Sequence, residues 1–278
     1  MSTPRQKPRT ILRLLRRVLV LLLVTYGVWL TACSALETKL VYPRSFAGPP
    51  MQDSLIPRDV EQLWIDTDAG RTEAWFIPSR SVRPMPCVVF FHGNAELIDH
   101  NYQLAEQYRD RGFSTLLVEY RGYGRSSGTP SQTAIVADAV KFVDSIKDKA
   151  GVDPSRLFYH GRSLGTGVAA QVAKERPPAA LILESPFTSI ASFAKSYGVP
   201  SFLVRNSYRT DRVLPTLACP ILILHSRGDE IVPFSHGERL KALVPTATLI
   251  ELTGGHNTPL GEQEAYWESI DAMLKPLL

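Results

Sequence analysis

The pentapeptide Gly161-Arg162-Ser163-Leu164-Gly165 sets a serine between two glycines. The apolar run Leu157 to His160 stops just before it, and helical spacing begins just after it, at Thr166. This order of strand, sharp turn and helix is that of a nucleophile elbow, in which the serine adopts a strained backbone. Gly161 and Gly165 remove Cβ atoms that would otherwise collide, and Gly167 is expected to let the helix pack close to the sheet. A serine hydroxyl is a weak nucleophile, so it needs a base, and the base needs an orienting acid. After such an elbow the acid and then the histidine follow in the chain, each on a loop at the carboxyl end of a later strand. Asp229 follows the run Ile221 to His225, and His256 follows Thr248 to Leu252, so both meet that condition. His236 is the other histidine beyond Asp229, and Glu184 and Glu230 are the competing acids. Two backbone N–H groups must meet the developing oxyanion. One is that of Leu164, and the other belongs to the turn His92-Gly93-Asn94-Ala95, with Asn94 preferred and Ala95 as the fallback. His92 is expected to brace this turn, and His160 and His225 to be strand-end imidazoles bonded to backbone.

The elements that must hold these residues alternate along the chain. Leu63 to Thr67 and Arg71 to Ile77 read as a hairpin turning at Asp68-Ala69-Gly70. Cys87 to Phe91 is wholly apolar, as in a strand buried on both faces. Leu97 to Arg111 carries helical spacing up to Gly112, and Ser114 to Tyr120 reads as a strand. Thr129-Pro130-Ser131-Gln132 reads as a capping box opening the next helix. Strands at Leu157 to His160, Ala180 to Glu184, Ile221 to His225 and Thr248 to Leu252 then alternate with helices from Thr166, Ser235 and Glu262. Such alternation predicts an α/β domain with a parallel sheet covered on both faces.

The formal net charge of +4 suggests a basic protein, but its distribution says otherwise. Six of the 31 basic residues lie in residues 1–32, where there is no acidic residue, leaving 25 basic against 27 acidic side chains beyond it. The body gives no reason to expect nucleic acid as a partner. The basic stretch leads into uncharged Val18 to Leu30 and then Leu30-Thr31-Ala32-Cys33, the layout of an export signal. That tetrapeptide resembles a bacterial lipobox, making Cys33 a candidate for lipidation. The alternative is an uncleaved anchor, because the nineteen residues from Val18 to Leu36 carry no charge and suffice to span a bilayer. Either way residues 1–36 tether the body to a membrane and, by the arginine bias, place it outside the cytoplasm. Residues 37–59 read as a lead-in and 60–278 as one catalytic domain. No Cys/His spacing predicts a metal site, and neither metal nor cofactor is expected.

On Lys39-Leu40-Val41-Tyr42-Pro43, His92-Gly93-Asn94-Ala95, Glu119-Tyr120-Arg121-Gly122-Tyr123-Gly124, the elbow, Glu184-Ser185-Pro186-Phe187, Gly228-Asp229-Glu230 and Gly255-His256-Asn257, the chain resembles membrane-tethered α/β-hydrolases with a small cap, related to the serine aminopeptidase-like set. The resemblance implies an α/β-hydrolase fold, with a mostly parallel eight-stranded sheet, helices on both faces and a minimal cap over about 186–218. It implies Ser163 as nucleophile, Asp229 as acid and His256 as base. It also implies a strand order that separates Cys87 from Cys219, which are then free thiols. Glu119 stands where relatives have Asp, and a structural turn role is expected there. Phe187, Phe193, Tyr197, Phe202 and Leu203 are candidates to line an acyl groove, although aromatics in such a segment also serve to pack a cap onto its body. The implied activity is cleavage of ester or thioester bonds in small-molecule or lipid acyl substrates; separately, the chain is expected to be a monomer. An aminopeptidase-type peptidase and an inert scaffold are the alternatives.

Overall fold

The computed structural model describes residues 8–258 and 263–278. Eight strands form one sheet: β1 (Glu61–Thr67), β2 (Gly70–Ile77), β3 (Met85–Phe91), β4 (Ser114–Val118), β5 (Val152–Arg162), β6 (Ala180–Glu184), β7 (Ile221–Ser226) and β8 (Thr248–Leu252). Their spatial order is β1-β2-β4-β3-β5-β6-β7-β8, with β1 and β2 antiparallel and every pairing from β4 onward parallel. The fold is therefore that of an α/β-hydrolase, with β5 near the centre of the sheet.

Strand side chains alternate between two cores, as the two-residue period of a strand requires. Cys87, Val89 and Phe91 face a core completed by α3 (Gln132–Lys147), α4 (Leu164–Glu175) and α7 (Ser235–Leu243). Val88 and Phe90 face the opposite side, against α2 (Tyr102–Asp110) and α8 (Glu264–Leu274). Both faces are dry, which is why β3 beyond Met85 and all of β4, β6 and β7 are buried and centre on the apolar runs Cys87 to Phe91, Leu116 to Val118, Ala180 to Leu183 and Ile221 to Leu224. Cys87 lies on β3 and Cys219 just before β7, with β5 and β6 between those strands, and both are free, as is Cys33.

Several local expectations change. The segment predicted as one helix from Leu97 divides into a 3-10 turn, Ile98–Asn101, and α2. The helix predicted to open with a capping box at Thr129 is capped instead by Ser131, whose Oγ accepts from the Ala134 N–H at 3.2 Å. The cap comprises α5 (Ile190–Ser196), a 3-10 turn at Ser201–Leu203 and α6 (Thr210–Val213). A long first helix, α1 (Pro8–Val41), runs unbroken through Leu30-Thr31-Ala32-Cys33. It is long and apolar enough to cross a membrane, and its side chains are exposed through Trp29.

Candidate active site

Ser163, Asp229, His256 and Asn94 stand on the turns that follow β5, β7, β8 and β3, all at the carboxyl edge of the sheet. Such edges collect sites because parallel strands deliver several loops to one crevice. At the elbow, Ser163 has φ 50° and ψ −117°, a left-handed conformation that costs a β-carbon-bearing residue on the order of 1–3 kcal/mol. The turn is tight enough that a Cβ at Gly165 would stand 1.9 Å from the Phe91 carbonyl oxygen, and one at Gly161 2.3 Å from that of Gly165. Gly167 serves a different contact from the one expected. A Cβ there would meet Phe187 Cζ at 2.8 Å and Tyr208 Cβ at 2.9 Å, so this glycine admits the cap segment rather than the sheet.

The Ser163 hydroxyl lies 3.0 Å from His256 Nε2, and His256 Nδ1 lies 2.8 Å from Asp229 Oδ2. With Nδ1 donating to the carboxylate, Nε2 is left to accept from the serine. Asp229 Oδ1 also accepts from the Ile231 and Val232 N–H groups at 3.0 and 2.7 Å. Burial raises the Asp229 pKa, but bonds from His225, His256 and Val232 outweigh it and hold the group well below the usual carboxylate range. It is therefore a fixed anion beside the imidazole.

The competing acids are engaged elsewhere. Glu230 accepts from the His256 backbone N–H at 3.0 Å and so clips the histidine loop. Glu184 is buried, accepts from Tyr266 Oη at 2.8 Å and pairs with Arg162 Nε at 3.1 Å. Arg162 in turn bonds Glu96 at 2.7 Å, tying the elbow to the turn after β3. His236, the other histidine beyond Asp229, is engaged away from the serine: its Nδ1 accepts from the Thr188 N–H at 3.1 Å, and its ring stacks on Phe193, fastening the cap. His160 also departs from expectation, bonding Tyr108 Oη at 2.9 Å in a side-chain network with Glu184 rather than backbone. His225 does bond backbone, at Val232 O, but its Nε2 also lies 3.5 Å from Asp229, a second imidazole that chain order did not reveal.

Beneath the turn after β3, His92 donates to Glu119 from Nε2 at 2.8 Å and to Gly93 O from Nδ1 at 2.7 Å. Both ring nitrogens face acceptors; burial alone would lower this imidazole's pKa, but Glu119 raises it. Tyr120 Oη donates to His92 O at 2.7 Å and Tyr123 Oη to Asn94 O at 2.8 Å. These bonds hold the turn's carbonyls, and the Glu119 side chain is its buttress.

Ser163, Asn94 and Leu164 share a cavity of about 570 Å³ with an overwhelmingly apolar lining. Phe187, Phe193, Tyr197 and Leu203 line it, while Phe202, predicted with them, points to solvent at 83% exposure and lies outside it. The facing wall belongs to α1, through Trp29, Cys33, Glu37, Leu40 and Val41. That helix is docked on the cap: Tyr26 Oη donates to Gly198 O at 2.8 Å, Trp29 Nε1 to Tyr197 O at 3.4 Å, and Arg205 Nε to Glu37 at 2.8 Å. Sequence reasoning assigned α1 only a tethering role, although Tyr26, Trp29, Cys33 and Glu37 recur at helical spacing on one face.

Comparison with known proteins agrees with the fold. A family model described as serine aminopeptidase, S33, matches residues 83–218. An uncharacterized protein of Mycobacterium tuberculosis is 34% identical over 252 residues, covering 89% of each chain. Lysophosphatidylserine lipase ABHD12 of Danio rerio is 31% identical over 276 residues, covering 81% of this chain and 72% of its own. A solved α/β hydrolase from Vibrio vulnificus superposes with a TM-score of 0.71 at 20% identity, over 86% of this chain and 92% of that one. With relatives above 30% identity aligned along most of both chains, this chain belongs to the α/β-hydrolase family.

Proposed function

We propose that this chain is a membrane-tethered serine hydrolase that cleaves carboxylic ester or thioester bonds of acyl substrates through an acyl-enzyme. The observation that carries the reading is the hydrogen-bonded series Ser163, His256, Asp229 opening into an apolar cavity. His256 takes the Ser163 proton as Oγ attacks the acyl carbonyl, and then delivers it to the departing alcohol or thiol. Water, deprotonated by His256, attacks the acyl-Ser163 carbonyl, and the proton returns to Ser163 as the acid leaves. The Asn94 and Leu164 N–H groups stabilise the tetrahedral oxyanion, aided by the positive end of α4, which begins at Leu164.

A lipid acyl chain is the substrate class that suits the lining, and the activity in the name of the ABHD12 relatives, a lysophosphatidylserine lipase, falls within it. A peptidase reading would want a free carboxylate for a substrate amine. Glu37, the acidic residue lining the cavity, is engaged by Arg205 and by the Asn206 N–H at 2.8 Å. Residues 1–36 act as the tether and 60–278 as a catalytic body outside the cytoplasm, working as a monomer. Retention of the span over cleavage at the lipobox-like Cys33 is supported by Tyr26 and Trp29, which cleavage would remove from the cap.

Ser163→Ala should abolish both ester hydrolysis and covalent labelling by a fluorophosphonate. Continued labelling of that variant would overturn the assignment. Turnover of aminoacyl amides in preference to matched esters would favour the peptidase, and a chain inert to every substrate of an acyl ladder would favour a scaffold.

A further inference from the structure

The geometry of α1 sets how deep the body sits. A span needs about 20 residues to cross a hydrocarbon core of about 30 Å. Before α1 docks on the cap at Tyr26, its uncharged part is only Val18 to Thr25, about 12 Å at 1.5 Å per residue. Counting the missing residues back toward the N-terminus would put Arg16 and Arg17 near mid-bilayer, where each charge costs several kcal/mol. Counting forward instead uses the rest of the uncharged run, to Leu36, for a total of about 28 Å. That part of α1 is already docked, so whatever lies beside it shares its depth. Beside it are Tyr197, whose carbonyl receives Trp29, and the cap tip, with Tyr197 72% and Phe202 83% exposed.

The charges agree with this placement. The run ends at Glu37, which pairs with Arg205, so the first charged pair on the cap side stands at the level where headgroups begin. The segment 186–218 carries Lys195, Arg205, Arg209 and Arg212 against Asp211, while the body as a whole has an acidic excess. Arg205 and Arg209 pair with Glu37 and Asp211, and the segment's remaining basic surplus, in the same segment as the apolar tip, matches an anionic lipid surface.

We propose that the cap tip, Tyr197 to Leu203, is immersed in the leaflet of the bilayer that α1 crosses. Acyl chains then pass from hydrocarbon into the cavity between α1 and the cap and reach Ser163 without crossing water. The proposal rests on α1 being retained as a span, and it gives the cavity wall formed by Trp29 and Cys33 a purpose: that wall lies at acyl-chain depth. It also accounts for Phe202, which is 83% exposed and lies outside the Ser163 cavity, as a residue solvated by lipid.

The test uses the full chain in nanodiscs of phosphatidylglycerol and phosphatidylcholine that contain a phospholipid with a diazirine in its acyl chain. Irradiation and tryptic mapping should place lipid adducts on the peptide Ser196–Arg205 as well as on α1. Adducts confined to α1 before Tyr26 would overturn the proposal, as would labelling absent from the cap because a second copy covers it. Ser163→Ala protein should give the same map, so a failure of the hydrolase reading leaves this result legible. In parallel, Phe202→Asp should lower kcat/KM for a palmitoyl ester presented in the bilayer by about tenfold or more, the scale set by carrying a carboxylate into lipid. An unchanged rate on that substrate, in protein whose melting temperature matches the parent, would equally overturn it.

Discussion

At the scale of single residues, the decisive distinction is between carboxylates of the same chemistry placed differently. Asp229 and Glu184 both lie at strand ends and both are buried, yet only Asp229 reaches the imidazole, at 2.8 Å, while Glu184 is engaged by Arg162 and Tyr266. Asp229→Asn would force His256 into the tautomer that presents a proton toward Ser163, and a drop in kcat of about 10⁴-fold is expected, the scale of the same change in a serine protease. Glu184→Gln keeps the site's geometry and should leave more than a tenth of the activity. Steady-state kinetics of the two variants on one soluble ester would check this, and a reversal of the two effects would transfer the acid role to Glu184. Chain order pointed to Asp229 and His256 because both follow apolar runs. It offered Glu230 only as a competing acid and His225 only as a backbone-bonded imidazole; that Glu230 clips the His256 loop and that His225 also approaches Asp229 comes from distances between loops.

At the scale of elements, the elbow joins β5 to α4 with no spare volume. Gly165→Ala would drive a methyl against the Phe91 carbonyl, which belongs to backbone and cannot rotate away, so destabilisation of about 3 kcal/mol or more is expected. Ser163→Gly should act in the opposite direction, relieving the φ 50° conformation and raising stability by about 1 kcal/mol while abolishing activity. Chemical denaturation of the two variants measures both signs. A Ser163→Gly protein no more stable than its parent would mean that the turn is not strained. This element was legible in the sequence because a turn so tight needs glycine at fixed offsets. The cap was less so: Phe202 and Phe193 are the same residue type nine positions apart, but Phe193 stacks on His236 and Phe202 faces outward.

Over the whole molecule, the cavity is a composite of segments far apart in the chain. One wall is α1, the other is the cap, and the floor is the carboxyl edge of the sheet. Cys33→Trp would fill the cavity from the α1 side without touching Ser163, His256 or Asp229. The ratio of kcat/KM for palmitoyl over butyryl esters should then fall by about tenfold or more, since a filled pocket excludes chain length before it excludes the carbonyl. An unchanged ratio in Cys33→Trp protein would mean that acyl chains do not lie along α1. The same composite makes α1 more than a tether, because Glu37 bonds both Arg205 and Asn206, and Tyr42, the residue after α1, bonds Asn206 and Tyr208.

What the sequence determined unaided is whatever short-range rules write into neighbouring residues. These are the elbow glycines, the alternation that makes a doubly covered sheet, the chain order of Ser163, Asp229 and His256, and a run able to cross a membrane. What only the tertiary structure decided depends on residues brought together across long stretches of chain. Glu37 meets Arg205 across 168 positions and Ser163 meets His256 across 93, and no local pattern encodes either distance. Those long-range contacts turn an apolar N-terminal helix into a wall of the cavity and bring Asp229 within 2.8 Å of His256.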